Sequence, residues 1–199
     1  IFAKALADRC CEFKMPAVGI ADRANLFGAL EFSEVLSDNG IQPIIGCQLP
    51  ISLKEADLKK SRASDQISML FIAKNQVGYR NLMELSSKFF LNDAYRFGGM
   101  SIDEIDKFSA GLICLSGGDE SPINNLLRDN KSKEAADLLT HFKRTFGNRF
   151  YLEMNRHPLA DEFIKKKNIE DNILGLADTH SLPVVASNDV YFLDKELYQ

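Results

Sequence analysis

Tryptophan is absent from the 199 residues, although phenylalanine occurs 14 times. The phenylalanines recur at helix and strand spacing and do not crowd one exposed strand face. They therefore read as core packing and not as platforms for stacking bases. Positive charge is also short. The 24 Lys and Arg residues against 28 Asp and Glu leave a net charge of −4. A domain whose main task is gripping phosphates should be basic, so this stretch is a poor autonomous DNA binder. Cysteine is sparse as well: Cys10, Cys11, Cys47 and Cys114 form no CxxC pair and match neither a zinc site nor a disulfide framework. Cys10 and Cys11, adjacent on a helix, point in different directions, and reduced, partly buried thiols in a cytosolic protein fit the spacing best. No apolar run reaches transmembrane length and no signal peptide is visible, which predicts no membrane contact and a cytoplasmic location. Nor does a Met open the chain; it starts inside a helix-like pattern, as a piece cut from a longer protein would. With 45% hydrophobic residues there is enough for one sizeable core, in one domain or two small ones.

What is present is organised around Met15 to Gly28. Val18 and Ile20 are β-branched, and Pro16 and Asp22 bound the run, so Ala17–Ala21 reads as a short buried strand. Asp22 at its C-terminal end suits a metal ligand, a general base or the N-cap of the next helix. Composition favours the cap. Periodicity predicts helices over 1–14, 25–39, 78–90, 102–107, 121–129, 132–146 and 163–180, and strands over 17–21, 43–47, 67–73, 111–116, 150–154 and 182–187. The charged run Lys54–Gln66 reads as a solvated surface loop, and Asn92–Phe108 as loop plus the short acidic helix. Strands alternating with helices predict an α/β fold, a parallel sheet with helices outside. Polar residues recur at the strand ends: Asp22, Gln48, Ser116, His157 and Asp189. That is the pattern of a barrel-like fold whose site is assembled from many loops. Gly117-Gly118-Asp119 reads as a turn before a phosphate cradle, and His141 and His180 as surface residues on helices.

Several separated stretches, in order, carry a resemblance. They are Pro16 to Phe32, Gly40 to Cys47, Leu115 to Gly118, Arg149 to His157 and Leu182 to Leu193. Together they are similar to the PHP (polymerase and histidinol phosphatase) domain, and more narrowly to the one at the N-terminus of the bacterial replicative DNA polymerase III alpha subunit. The resemblance implies an irregular (β/α)7 TIM-like barrel, here without its first strand. It implies that residues 1–199 are a single PHP domain, an N-terminal fragment of a much longer polymerase chain. Active members bind metal ions through His, Asp, Glu and sometimes Cys at the strand ends and hydrolyse phosphoesters, the clustered cations activating a bound water. Position by position, the family's Asp-His pair falls on Asp22-Arg23, and Arg cannot coordinate a metal. The family's Glu falls on Gln48, its Cys on Gly118, and the His of its final Asp-x-His on Tyr191, after Asp189. His157 stands where the family has a His, and reads equally as a surface histidine.

The resemblance therefore implies a vestigial metal pocket at Asp22, Arg23, Gln48, Gly118, His157, Asp189 and Tyr191, with no catalytic residue and no cofactor in this fragment. Arg23 would pair with Asp22 or Asp189 and hold the loops as an ion did. A structural role follows, with the domain packing on the polymerase body and docking a proofreading exonuclease subunit. Magnesium, a sliding clamp and primer-template DNA would belong to the parent chain's polymerase reaction. The alternative is a free-standing metal-dependent phosphoesterase or pyrophosphatase of the same family.

Overall fold

The structure, a computed structural model, describes residues 1–53, 67–155, 163–188 and 190–194, and every structural statement below refers to these. Helix α1 (Ala3–Glu12) leads into strand β1 (Ala17–Arg23) and helix α2 (Ala29–Asp38). Strand β2 (Gln42–Ser52) and strand β3 (Ser68–Ala73) follow, then helices α3 (Gln76–Leu91) and α4 (Asp93–Gly98). The two-residue strand β4 (Met100–Ser101), helix α5 (Ile102–Lys107) and strand β5 (Leu112–Leu115) come next. Helices α6 (Pro122–Arg128) and α7 (Ser132–Phe146), strand β6 (Phe150–Asn155), helix α8 (Phe163–His180) and strand β7 (Val184–Ser187) complete the order.

The strands form one sheet in the order β1-β2-β3-β5-β6-β7, with β4 on the far end of β2. Pairs β1–β2, β5–β6 and β6–β7 are parallel, as the alternation of strands and helices predicted. Strand β3 departs from that expectation, running antiparallel to both neighbours. A parallel neighbour needs a long crossover, usually helical, and no described helix separates β2 from β3. The stretch Lys54–Gln66, read above as a surface loop, lies outside the described residues. Edge strands β1 and β7 do not pair with each other. Arg9 on α1 nevertheless forms an ion pair with Asp194, just beyond β7. Elements flanking the two edges thus meet, and the sheet is a curled, open half-barrel.

Alternation assigns the faces. Cys47, Phe71, Cys114 and Phe150 lie side by side across four strands, and each is fully buried. With Leu49, Met69, Leu112 and Leu152 they form the outer face, packed against Leu82 and Leu85 of α3 and Leu139, Phe142 and Phe146 of α7. Ring pairs tie the layers: Phe71 with Phe146 at 6.0 Å and Phe142 with Phe150 at 5.7 Å. These phenylalanines are core, as expected. A smaller cluster of Ala7, Cys10, Phe32, Leu36 and Ile41 seats α1 and α2 on the β1–β2 edge. All four cysteines are free thiols; Cys10 is buried and its neighbour Cys11 exposed.

Two local readings need correction. Helix α2 begins at Ala29, not at Asn25, because Asn25 closes a turn: its Oδ1 accepts the Phe27 N–H at 3.0 Å and its Nδ2 donates to the Arg23 carbonyl at 2.9 Å. Within Asn92–Phe108 the helix α4 was not foreseen; the Asn92 side chain caps it by accepting the Ala94 N–H at 2.9 Å.

Candidate functional site: a polar pocket on the inner face

On the inner face, Arg23, Gln48, Leu70, Leu115 and Tyr151 lie side by side across five strands. At the C-terminal ends of the parallel strands this face turns polar. A cavity of about 90 Å³ opens there, lined by Ala21, Gln48, Leu70, Gly117, Glu120, Glu153 and Asn155.

Two carboxylates organise the pocket. Glu120 ends a short turn, Gly118–Glu120, that follows β5. Its Oε2 accepts from the Ser68 hydroxyl at 2.8 Å, lies 3.4 Å from the Gln48 amide nitrogen, and takes the Arg23 guanidinium in an ion pair. Gln48 also donates to Ser68 Oγ at 2.9 Å. Three donors from β1, β2 and β3 thus converge on one carboxylate oxygen. The second carboxylate, Glu153 on β6, is 6% exposed. It accepts the Gly117 N–H at 3.1 Å and the Ser187 hydroxyl of β7, while its own N–H donates to Ser116 Oγ at 2.9 Å. Ser187 Oγ also lies 3.3 Å from Asn155 Oδ1.

The expected residues scatter around this pocket. Asp22 and Arg23 are consecutive in a strand, so their side chains leave opposite faces. Arg23 enters the pocket and pairs with Glu120 and not with Asp22, one of its two expected partners; the other, Asp189, lies outside the described residues. Asp22 turns to the helix side, and its Oδ2 accepts the Gly28 N–H at 3.3 Å. It does not cap α2, whose N-cap is Gly28 without a side-chain bond. Its charge acts on Cys47 instead: burial first, and Asp22 second, push that thiol up to about 12, opposed by a hydrogen bond from the Ala24 backbone. Gln48 lies in the pocket. Gly118 has φ +52°, and the Asn155 amide fills the space into which a Cβ there would project. Tyr191 is 71% exposed. His157 and Asp189 lie outside the described residues.

The Gly117-Gly118 turn is a turn, as expected: Gly117 takes φ +100° and its N–H is committed to Glu153. His141 is not a plain surface residue. Its Nε2 lies 2.9 Å from Asp106 Oδ2, and Thr145 donates to the same carboxylate at 3.0 Å, fastening α7 to α5. Helical periodicity places His141 on α7 but says nothing of which helix lies opposite.

Ser68, Glu120, Glu153, Asn155 and Ser187 were all missed as pocket residues. For Glu153 and Asn155 a signal existed. In Phe150-Tyr151-Leu152-Glu153-Met154-Asn155 the apolar Phe150 and Leu152 alternate with Tyr151, Glu153 and Asn155, which marks a second, polar face. For Glu120 and Ser68 no sequence signal distinguishes them from ordinary turn and strand-end residues.

Among the described residues no three His, Cys, Asp or Glu side chains come together as a metal site. The pocket's donors do not suit a cluster of cations: a fixed guanidinium occupies one side, two of the neutral groups are amides, and Glu120 and Glu153 are each already satisfied by protein donors. A larger cavity of about 320 Å³ is lined, among the described residues, by Met154, Val184, Ala186, Ser187 and Asn188, none of them titratable. Among the described residues no helix is long and apolar enough to cross a membrane.

Comparison with known proteins supplies the context. The pattern of the PHP domain family matches residues 2–157. Over 199 residues the chain is 39% identical to the DNA polymerase III subunit alpha of Caulobacter vibrioides, covering 100% of this chain and 17% of that one. It is 32% identical over 184 residues to that of Borreliella burgdorferi, covering 92% and 16%, and 35% identical over 186 residues to that of Rickettsia prowazekii, covering 93% and 15%. The chain thus spans about a sixth of the length of these curated relatives. A solved structure from Bifidobacterium adolescentis, assigned as a metal-dependent phosphoesterase, aligns with a TM-score of 0.49 at 13% identity, covering 93% of this chain and 80% of that one.

Proposed function

From the premise that this chain belongs to the PHP domain family, we propose that residues 1–199 are a single PHP domain within a cytoplasmic DNA polymerase III alpha subunit, with a structural and not a hydrolytic role. The observation that carries this reading is the likeness to such subunits along 100% of the chain, at 39% identity in one of them. The inner pocket supports it. Arg23 and Glu120 form an internal ion pair at the strand ends, and Gln48 and Ser68 are bonded to the same Glu120 carboxylate. The guanidinium does there what a bound cation does, drawing β1, β2, β3 and the turn after β5 together through one carboxylate.

The polymerase reaction belongs to the parent chain. It joins a primer 3′-hydroxyl to a nucleotide with magnesium held outside residues 1–199. The domain's partners on this reading are the rest of that chain and a proofreading exonuclease subunit; the sliding clamp and primer-template DNA meet the parent chain elsewhere. The test is the size of the native protein, read by immunoblot of the source cells with antibody against these residues. A band several times heavier than 22.3 kDa is expected. A band near that mass would overturn the reading in favour of a free-standing phosphoesterase, to be checked by metal analysis and turnover of a generic phosphoester.

A further inference from the structure

We propose that an apolar patch formed by Phe27, Leu30, Phe90, Leu91 and Phe97 is the face on which this domain packs against the remainder of its own parent chain. This rests on the reading above, that the chain is one part of a longer polymerase subunit.

The patch draws on three elements. Phe27 sits in the turn after β1, and Leu30 follows on the first turn of α2. Phe90 and Leu91 end α3, and Phe97 lies on α4. The rings of Phe27 and Phe90 stack at 6.3 Å with an interplanar angle of 20°, which joins the β1 turn to the end of α3. Phe90 in turn meets Phe89 edge-on at 5.5 Å. Exposure is high: 85% for Phe27, 69% for Leu30, 87% for Leu91 and 60% for Phe97. The end of α3 is thus apolar in two directions. Phe89, 6% exposed, points into the core, and Phe90 and Leu91 lie open beside it. A helix end with apolar residues on two sides is stable where both of those sides are covered. Phe27 and Phe90, in ring contact, give the patch a contiguous apolar centre, and exposed contiguous apolar surface marks interaction sites.

The chemistry selects the occupant. The five side chains of the patch are uncharged, with Arg96 beside the Phe97 ring at 5.9 Å, whereas nucleic acid requires a basic cluster. An apolar protein surface fits. The parent chain supplies one: the curated relatives are roughly six times as long as this chain, since it covers 17% of one of them. Most of such a chain lies beyond these residues, and a covalently joined neighbour is present at high effective concentration.

Hydroxyl-radical footprinting of the unmodified full-length chain tests this without a substitution. The oxidation rate of each ring is compared with its rate in the urea-unfolded chain, and the fully buried Phe71 is the internal standard. Phe27 and Phe97 are expected to be slowed about tenfold or more, as Phe71 is. If both oxidise in the full-length chain as fast as in the unfolded one, the proposal is overturned, and the patch is left to a separate subunit or a second copy. The immunoblot decides the underlying reading separately, since a native chain near 22.3 kDa would remove the parent chain whatever the footprint shows.

Discussion

The two faces of the same strands obey different rules. On the outer face, Cys47, Phe71, Cys114 and Phe150 meet helices α3 and α7 with no exposed surface at all. On the inner face, one residue along in each strand, the pocket carries two carboxylates, a guanidinium, amides and hydroxyls, with Arg23 and Glu120 each about half exposed. The outer face holds the fold through close packing and water exclusion, which are not directional. The inner face works through directed bonds, each needing its partner in place. A strand two residues out of phase would still bury apolar side chains outside, but would break every pairing inside. The inner face is therefore where a family can lose its metal ligands and keep its fold, provided the replacements satisfy one another.

Substitutions that strike one face and spare the other sharpen this contrast. The largest effect is expected outside: Phe71→Ala, at a site with 0% exposure, should cost about 3–5 kcal/mol of stability, read as the shift in urea midpoint. A loss below 1 kcal/mol would show that the outer face does not carry the core. Inside, Glu153→Ala removes the acceptor for the Gly117 N–H and the Ser187 hydroxyl and should cost about 1–3 kcal/mol. Equal stability of variant and parent would mean that water replaces the carboxylate freely and the pocket is not a closed network.

The third test uses pH. Cys47, raised to about 12 by burial and by Asp22, and Cys114, raised by burial and then by Glu153, both keep their protons longer folded than unfolded. Above the unfolded thiol value of about 8.5 the unfolded chain binds fewer protons, so stability falls as pH rises, by up to about 1.4 kcal/mol per pH unit for each thiol. Their contribution is fully present below that value. Cys47→Ala should flatten the fall in urea midpoint between neutral and alkaline pH; an unchanged slope would remove Cys47 as its source. The smallest effect belongs to Arg23. Because the Arg23–Glu120 pair is half exposed, Arg23→Ala should cost about 0.2–1 kcal/mol. That still exceeds Arg80→Ala on the open side of α3. A double-mutant cycle with Glu120→Ala reads the coupling, and a value of zero would deny the guanidinium its role as the internal cation.

Much of the architecture was legible in the residues. The acidic helix emerges at Ile102–Lys107 as expected, because Ser101 caps it, Asp103 and Glu104 occupy its first turn and Lys107 its last. Helix α7 is equally clear, with Ala135, Leu139, Phe142 and Phe146 on one stripe. What escaped was relational. The direction of β3 is not written in Met69-Leu70-Phe71-Ile72, which reads alike in both senses. Helix α4 is six residues long and rests on one Asn cap. In the site, Asp22 or Asp189 was the expected partner of Arg23; the pleat sends Asp22 away and Glu120, 97 residues on, pairs with Arg23, while Asp189 lies outside the described residues.

By itself the sequence determined the longer elements, their apolar faces and the family, because each is encoded locally: in the period of apolar residues, in caps, and in short ordered motifs. Only the tertiary structure decided the composition of the pocket. Which of the polar strand-end residues meet depends on strand order, strand direction and the sense of the pleat, and these come from the packing of the whole sheet. Arg23, Ser68, Glu120, Glu153 and Ser187 are ordinary residues taken singly; the curl of the sheet brings them within hydrogen-bonding distance and makes them a site.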